Sequence, residues 1–363
     1  MKGNTKQHVK SVRRILKYIR DNQPIITNEI RQKTKYSNSN VAAIICELSA
    51  GEYVVGEAQG TDTVGRKAIA YSVHPDKNLI IGVDFNVTGM LFVVTDLSGR
   101  TKQEYVCPLS SKEHSDRILE SMYRSLDSLL AAYPGQVIYL AISVQGSVDY
   151  EKGVSKYIDG FTGWKDIPLK ELLEERYQIP TILIHDTNCR MRAEQAIGVL
   201  KGKDVKSALL ISVQKQGCGM SILANGQIYT GAHGYAGEIG RFPFPPNDKG
   251  EVYTCLDTIL GENKLLKTDD ADTDQRQAYE KKLVQVLGYV LIAVANMFNP
   301  EYIILHGDML GYSAELEKQF YDWMKIYTYD DSIRLEFSDQ KENVSAVGAA
   351  LYASDCVIDS ILP

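Results

Sequence analysis

Two distant segments of this chain repeat one local pattern, and that repetition constrains the fold more than any other feature. Leu79-Ile80-Ile81-Gly82-Val83-Asp84 leads into Gly89-Met90-Leu91-Phe92-Val93-Val94-Thr95-Asp96, and Ala208-Leu209-Leu210-Ile211-Ser212-Val213 leads into Gly219-Met220-Ser221-Ile222-Leu223. Each reads as strand, polar turn, strand. Further strands are expected at 137–143, 181–185 and 302–306, and helices at 115–132 and 275–298. A hairpin that recurs with helices between its copies predicts a duplicated α/β body with a cleft between its halves, where ligands favour binding. At 363 residues the chain exceeds the size at which a single core stops growing, about 250 to 300 residues. More than one domain is expected.

Ahead of this body the composition changes. Residues 1–77 carry 13 Lys and Arg against 7 Asp and Glu, while the remainder carries 27 against 39. A basic module before an acidic body points to a phosphate-backbone partner. Val12, Ile15, Leu16 and Ile19 recur at helical spacing, with Lys10, Arg13, Arg14, Lys17 and Arg20 on the other faces and Pro24 beyond the end. A short helix is expected at 28–33 behind Thr27 as N-cap. A third follows behind Ser37, with Val41, Ile44, Ile45 and Leu48 at the same spacing and Gly51 in the C-cap position. Two strands near 53–56 and 68–73 flank a turn tipped by Arg66 and Lys67. Three helices and a hairpin read as a winged helix-turn-helix, whose third helix enters the major groove through Ser37, Asn38, Ser39 and Asn40. Arg66 and Lys67 are the candidate wing contacts to the backbone or the minor groove. The alternative reading of this module is a protein-docking helical bundle.

No run approaches the roughly 20 apolar residues needed to cross a bilayer, and the first residues lack the apolar core of a signal peptide. A cytoplasmic protein with no membrane partner is expected. Six cysteines lie far apart without a CxxC pair, so neither a disulfide framework nor a cysteine zinc site is signalled, and buried free thiols are expected.

In the body, Gly234-Tyr235-Ala236-Gly237-Glu238-Ile239-Gly240-Arg241 brings a carboxylate and close-approaching backbone to a small polar ligand. With Asp84-x-x-x-Thr88, Asp96 and Gly99; Gly146-Ser147-Val148-Asp149; Gly163-Trp164 with Pro168-Leu169; Asp186-x-Asn188; and Gly348-Ala349-Ala350, it makes six motifs in one order. In that order they resemble the ROK family of sugar kinases and sugar-responsive repressors, over nearly the full length. The resemblance implies an actin-like, ribonuclease H-like, two-lobed body. The domains are then 1–77, the winged helix-turn-helix; 78–186 with 343–363, the first lobe; and 187–342, the second. It also implies the repressor branch, similar to the xylose and N-acetylglucosamine repressors, since only that branch carries a DNA-binding module.

Carried over by position, the ligand contacts implied are Gly146, His185, Asp186, Glu238, Arg241 and Asp257. Asp186 stands where the family keeps its general base. The family's glycine-rich phosphate loops are eroded: Asp84-Phe85-Asn86-Val87-Thr88 lacks both glycines of the first, Lys215-Gln216-Gly217-Cys218-Gly219 replaces the second, and His306-Gly307-Asp308 is what remains of a third. Its zinc site keeps only Cys255, with Arg241 where a histidine belongs, so no metal and no cofactor is expected. Gln145 stands for a proline, Gly160 for an asparagine and His185 for an asparagine. Arg241 with His185 suits an anionic group, so the expected ligand is a sugar or an acidic or phosphorylated sugar. The expectation is a regulator, not an enzyme, that binds double-stranded DNA as a homodimer or homotetramer. The alternatives are an ATP-dependent carbohydrate kinase and a DNA-binding regulator with a dead pocket.

Overall fold

A computed structural model describes residues 2–59, 68–110, 112–158, 160–214, 217–244, 254–262, 273–307, 313–340 and 343–361. The chain divides into two compact units, Met1–Cys189 with Asn343–Pro363, and Arg190–Glu342.

The first unit opens with α1 (Lys2–Asn22), β1 (Ile25–Ile26), α2 (Thr27–Thr34), α3 (Asn38–Ala50), β2 (Val54–Gln59) and β3 (Ala68–Val73). The apolar stripe of α1 sets its packing: Val12, Ile15, Leu16 and Ile19 are buried and join Ile30, Val41, Ile44 and Leu48 in one core. Strands β2 and β3 pair antiparallel, Val54 opposite Val73, and β1 adds to β3, which is the winged-helix order. Ser37 caps α3 as expected, its hydroxyl accepting from the Asn40 amide at 3.3 Å. The cap of α2 differs from expectation. Because β1 runs straight into the helix, Ile26 takes the N-cap position, and the Glu29 carboxylate accepts its amide at 3.2 Å in place of a threonine cap. The expected wing tip, with Arg66 and Lys67, lies outside the described residues.

The rest of this unit holds β4 (Leu79–Asn86), β5 (Gly89–Thr95), β6 (Thr101–Pro108), α4 (Ser115–Ala132), β7 (Val137–Val144), β8 (Ser147–Asp149), β9 (Val154–Tyr157), β10 (Lys165–Ile167), α5 (Leu169–Tyr177), β11 (Thr181–His185) and the first turn of α6 (Asp186–Ala196), whose remainder belongs to the second unit. Its five-stranded sheet runs β6-β5-β4-β7-β11, antiparallel across β4–β5–β6 and parallel across β4–β7–β11. Strands β4, β5 and β7 read as continuous apolar runs because they are buried in the sheet interior.

The second unit contains β12 (Ala208–Gln214), β13 (Gly217–Ala224), β14 (Gln227–Tyr229), a 3₁₀ turn (Ile239–Arg241), β15 (Pro243–Phe244), β16 (Thr254–Cys255), α7 (Leu256–Glu262), α8 (Thr273–Phe298), β17 (Tyr302–His306), α9 (Ser313–Tyr327) and β18 (Arg334–Phe337). Its main sheet runs β14-β13-β12-β17-β18 with the same alternation: antiparallel over the first three strands, parallel over the last three. The two sheets therefore share one strand order, and the duplicated α/β body is present. Among the described residues, no helix is long and apolar enough to cross a membrane.

The last helix, α10 (Val344–Ser360), returns to the first unit. Its small residues permit close packing: a Cβ on Gly82 of β4 would run into the Ala346 carbonyl, and one on Gly348 into that of Cys189. On α10 the side chains of Ser354 and Asp355 take the Arg20 guanidinium of α1, at 3.0 and 2.7 Å. Arg13 adds a bond from Nε to the Ile361 carbonyl at 3.2 Å. Arg20 is buried, and the N-terminal helical head shares its core with Val357, Ile358 and Ile361. Of the six free cysteines only Cys189 and Cys218 are buried; Cys46 is exposed, which corrects the expectation of uniformly buried thiols.

Candidate functional site

In the head, Ser37, Asn38 and Ser39 are exposed at the start of α3 and Asn40 is half-buried. The Ser37 hydroxyl is occupied as the cap and lies 3.1 Å from that of Ser39.

The turn after β4 is where a phosphate loop would sit. Asp84 is buried, with its carboxylate accepting from Ser143 Oγ at 3.3 Å and Asn86 Nδ2 at 3.2 Å. Backbone amides that could face a phosphate already have acceptors. The Thr88 amide donates to Asn86 Oδ1 at 2.9 Å, and the Val87 amide to Gln145 Oε1 at 3.3 Å. Both acceptors, Asn86 and Gln145, stand where the family resemblance implies a glycine and a proline. The Asn86-x-Thr88 spacing of an Asx turn is the sequence signal for the first; nothing local signals the second.

Beside this turn, Gly146 takes φ +93°, and a Cβ there would meet the Tyr157 carbonyl, so only glycine fits. Asp186 opens α6, where a carboxylate is favoured by the amides of the first turn, and it accepts from the Thr187 amide at 2.8 Å. His185 Nδ1 lies 2.8 Å from the Thr187 hydroxyl and 3.2 Å from Asp186 Oδ1. Asn188 donates to the Tyr150 hydroxyl at 3.2 Å, and burial pushes that phenol well above its ordinary range. Gly146, His185 and Asp186 thus belong to the first unit, with polar groups held by α6 and the β7–β8 turn.

Glu238, Arg241 and Asp257 belong to the second unit. Gly237, at φ +95°, lies so close to the Met220 carbonyl that no side chain fits, which fixes the approach of the Glu238 segment to β13. Glu238 and Arg241 are both exposed at the ends of the 3₁₀ turn. Asp257 packs against Gly240 and accepts from the Cys218 amide at 2.7 Å. Burial raises its carboxyl above the usual range, against the lowering effect of the Cys218 amide and of Arg241. Lys215 and Asp308 lie outside the described residues.

The donor set does not fit zinc. Cys255 Sγ lies 3.2 Å from the Thr258 hydroxyl, and Arg241 cannot serve as a ligand. Among the described residues no cluster of three His, Cys, Asp or Glu side chains could hold a metal ion.

Residues 80–356 match the ROK family. The chain belongs to the ROK family. Among its relatives is the xylose repressor of Bacillus subtilis strain 168, 23% identical over 373 residues that cover 96% of this chain and 95% of the relative. Among solved structures, a ROK family transcriptional regulator homologous to the Escherichia coli MLC protein superposes with a TM-score of 0.77 at 19% identity, covering 98% of both chains. The ROK hexokinase of Thermus thermophilus gives 0.63 at 22% identity and covers 78% of this chain and 100% of its own. The family match begins at residue 80, so the N-terminal helices and the β1–β3–β2 sheet lie ahead of the matched ROK region, and the regulator's coverage extends into them.

Proposed function

We propose that this ROK protein is a sugar-responsive transcriptional repressor of the cytoplasm that binds palindromic DNA through its head. A ROK body joined to a winged-helix head whose recognition-helix start is exposed carries the reading. The matched relatives named as repressor and regulator agree with it. The body reads a sugar rather than phosphorylating it, because the Val87 and Thr88 amides that ATP phosphates would need are spent on Gln145 and Asn86. Asp186 keeps the base position, and a carboxylate that accepts sugar hydroxyls serves binding equally well.

The proposed ligand contacts are Gly146, His185 and Asp186 in the first unit and Glu238, Arg241 and Asp257 in the second. The exposed Arg241 guanidinium suits an anionic substituent on the sugar. The proposed DNA contacts are Asn38 and Asn40, with Ser37 and Ser39 at the groove edge and Arg66 and Lys67 on the wing. A two-fold homodimer would read half-sites about 10 bp apart or a multiple of it.

Thermal melting against neutral sugars, sugar acids, sugar phosphates and ATP tests the ligand half. A ligand at about 100 times its Kd stabilises by about 2.7 kcal/mol. Stabilisation by a sugar without ATP is expected and names the class. Stabilisation by ATP, with phosphate transfer to a sugar, would replace the reading with a kinase, and silence across the panel would leave a regulator with a dead pocket.

A further inference from the structure

The head carries a cluster of cations that neither the recognition helix nor the wing accounts for. A cavity of about 340 Å³ between α1 and α2 is lined by Arg14, Lys17, Tyr18, Asp21, Lys33 and Thr34. Arg14, Lys17 and Lys33 are all exposed. The lining acid is engaged elsewhere, since Asp21 takes the Arg20 Nε at 2.8 Å. The Thr34 hydroxyl donates to the Ile30 carbonyl at 2.7 Å, so it does not neutralise the cations either.

Neighbouring cations of the head behave differently. Arg20 is paired to Asp355, Arg13 donates to the Ile361 carbonyl and Arg31 donates to Asn28 Oδ1 at 2.8 Å. Arg14, Lys17 and Lys33 outnumber the acids here, Asp21 on the rim and Glu29, whose charge reaches Tyr18, so the cavity stays net positive and an anion between the cations relieves their repulsion. Lys33 gains from the C-terminal dipole of its own helix, but Arg14 and Lys17, in the middle and last third of α1, do not.

The position of the cavity identifies the anion. The Arg14 guanidinium lies 5.7 Å from the centroid of the Tyr36 ring, and Tyr36 immediately precedes the cap of the recognition helix. The cationic rim therefore adjoins the residues that start α3. When the first turn of that helix enters a major groove, the nearest anions to this rim are the phosphates flanking the groove. We infer that Arg14, Lys17 and Lys33 form a further phosphodiester-binding site for DNA, beside the recognition helix. The inference rests on the DNA-binding reading above and names the part of the duplex that α1 grips. Tyr18 supplies a hydroxyl of the kind that donates to phosphate oxygens.

The test uses the full-length chain and a duplex that the wild type enriches from a random-sequence pool. Its Kd is measured from roughly 50 to 200 mM salt, a range in which phosphate contacts dominate. The slope of log K against log salt should fall in magnitude by about 0.9 for each of Arg14→Ala, Lys17→Ala and Lys33→Ala. The loss should be equal on the enriched duplex and on a scrambled one, because phosphates carry no sequence information. Lys17→Arg and Lys33→Arg should keep the wild-type slope, and thermal melting should show all variants folded. An unchanged slope in the folded triple alanine variant overturns the inference while leaving the regulator reading intact. A wild type that enriches no duplex overturns both. Stabilisation of the free protein by inorganic phosphate that the triple variant loses, with the slope unchanged, would assign the cavity to a small anion and also overturn it.

Discussion

At the scale of single residues, buried charge carries the sharpest consequences. Arg20 is 4% exposed and holds Asp355 and Ser354 across the contact between head and body. Arg20 is the buried member, since the Asp355 side chain is 30% exposed, so removing the carboxylate strands a buried guanidinium, which costs up to about 3–5 kcal/mol. Asp355→Ala should lower stability towards that value in urea denaturation, whereas Arg20→Met combined with Asp355→Leu should recover most of the loss. Glu194 offers a pH test. It is fully buried, accepts from the Val199 amide at 2.7 Å and from the Ser338 hydroxyl, and burial raises its carboxyl above the usual range. A carboxyl raised on folding binds more protons in the native state than in the unfolded one. Its cost is therefore absent below the unfolded pKa and grows as pH rises through the folded value. Glu194→Gln can keep both hydrogen bonds without the charge. The variant should be more stable than wild type at neutral pH, with the difference vanishing near pH ~4, the ordinary carboxylate range. A constant difference across that window would refute the assignment. Asp186→Asn should keep the Thr187 contact and DNA affinity while weakening the sugar by about 1.5–3 kcal/mol, the worth of a hydrogen bond to a charged group. Calorimetric titration with the sugar found by melting checks it.

At the scale of elements, helices α1 and α3 and the two central hairpins were legible because each buries one face or one layer, and burial imposes a periodicity. The stripe Val12, Ile15, Leu16 and Ile19 and the run Val41, Ile44, Ile45 and Leu48 are core in the structure. What was not legible lies where side chains substitute for periodicity. Ile26 rather than Thr27 caps α2 because a strand pairing distant in sequence delivers the chain there. Gln145 satisfies the Val87 amide from the far end of another strand, a contact no local pattern encodes. The role of α10 was equally hidden. Its Gly348-Ala349-Ala350 run marks close packing, but the link from Cys189, three residues past Asp186, to Arg20 of the head appears only in three dimensions. Helix α10 is thus the physical connection between the segment that bears Asp186 and the helix that bears the basic cavity. Gly348→Ala should break that packing at its base, costing about 1–3 kcal/mol by overpacking against the Cys189 carbonyl. Thermal denaturation reads the loss. In α3, Ser37→Ala should cost about 1 kcal/mol of stability through the lost cap, whereas Asn38→Ala and Asn40→Ala should leave melting unchanged and weaken only DNA binding.

At the scale of the whole molecule, the basic head and acidic body evident in composition correspond to the N-terminal helices with their small sheet and to the region that matches the ROK family. Charge asymmetry was readable because it is a matter of composition alone, and the duplicated sheet was readable because both copies repeat one strand order. The ligand's identity was not, since Arg241 and His185 mark departures from a family pattern without naming a ligand. A repressor requires its ligand to bind one of two conformations more tightly, so the DNA affinity and the sugar affinity must be reciprocally linked. The most direct measurement is fluorescence anisotropy of the enriched duplex titrated with full-length protein, with and without the sugar that raises the melting temperature. A tight complex whose Kd shifts at least about fivefold with the sugar, the low end of ordinary allosteric coupling, is the predicted result. A duplex affinity that no sugar changes, or a protein that selects no duplex at all, would contradict the account.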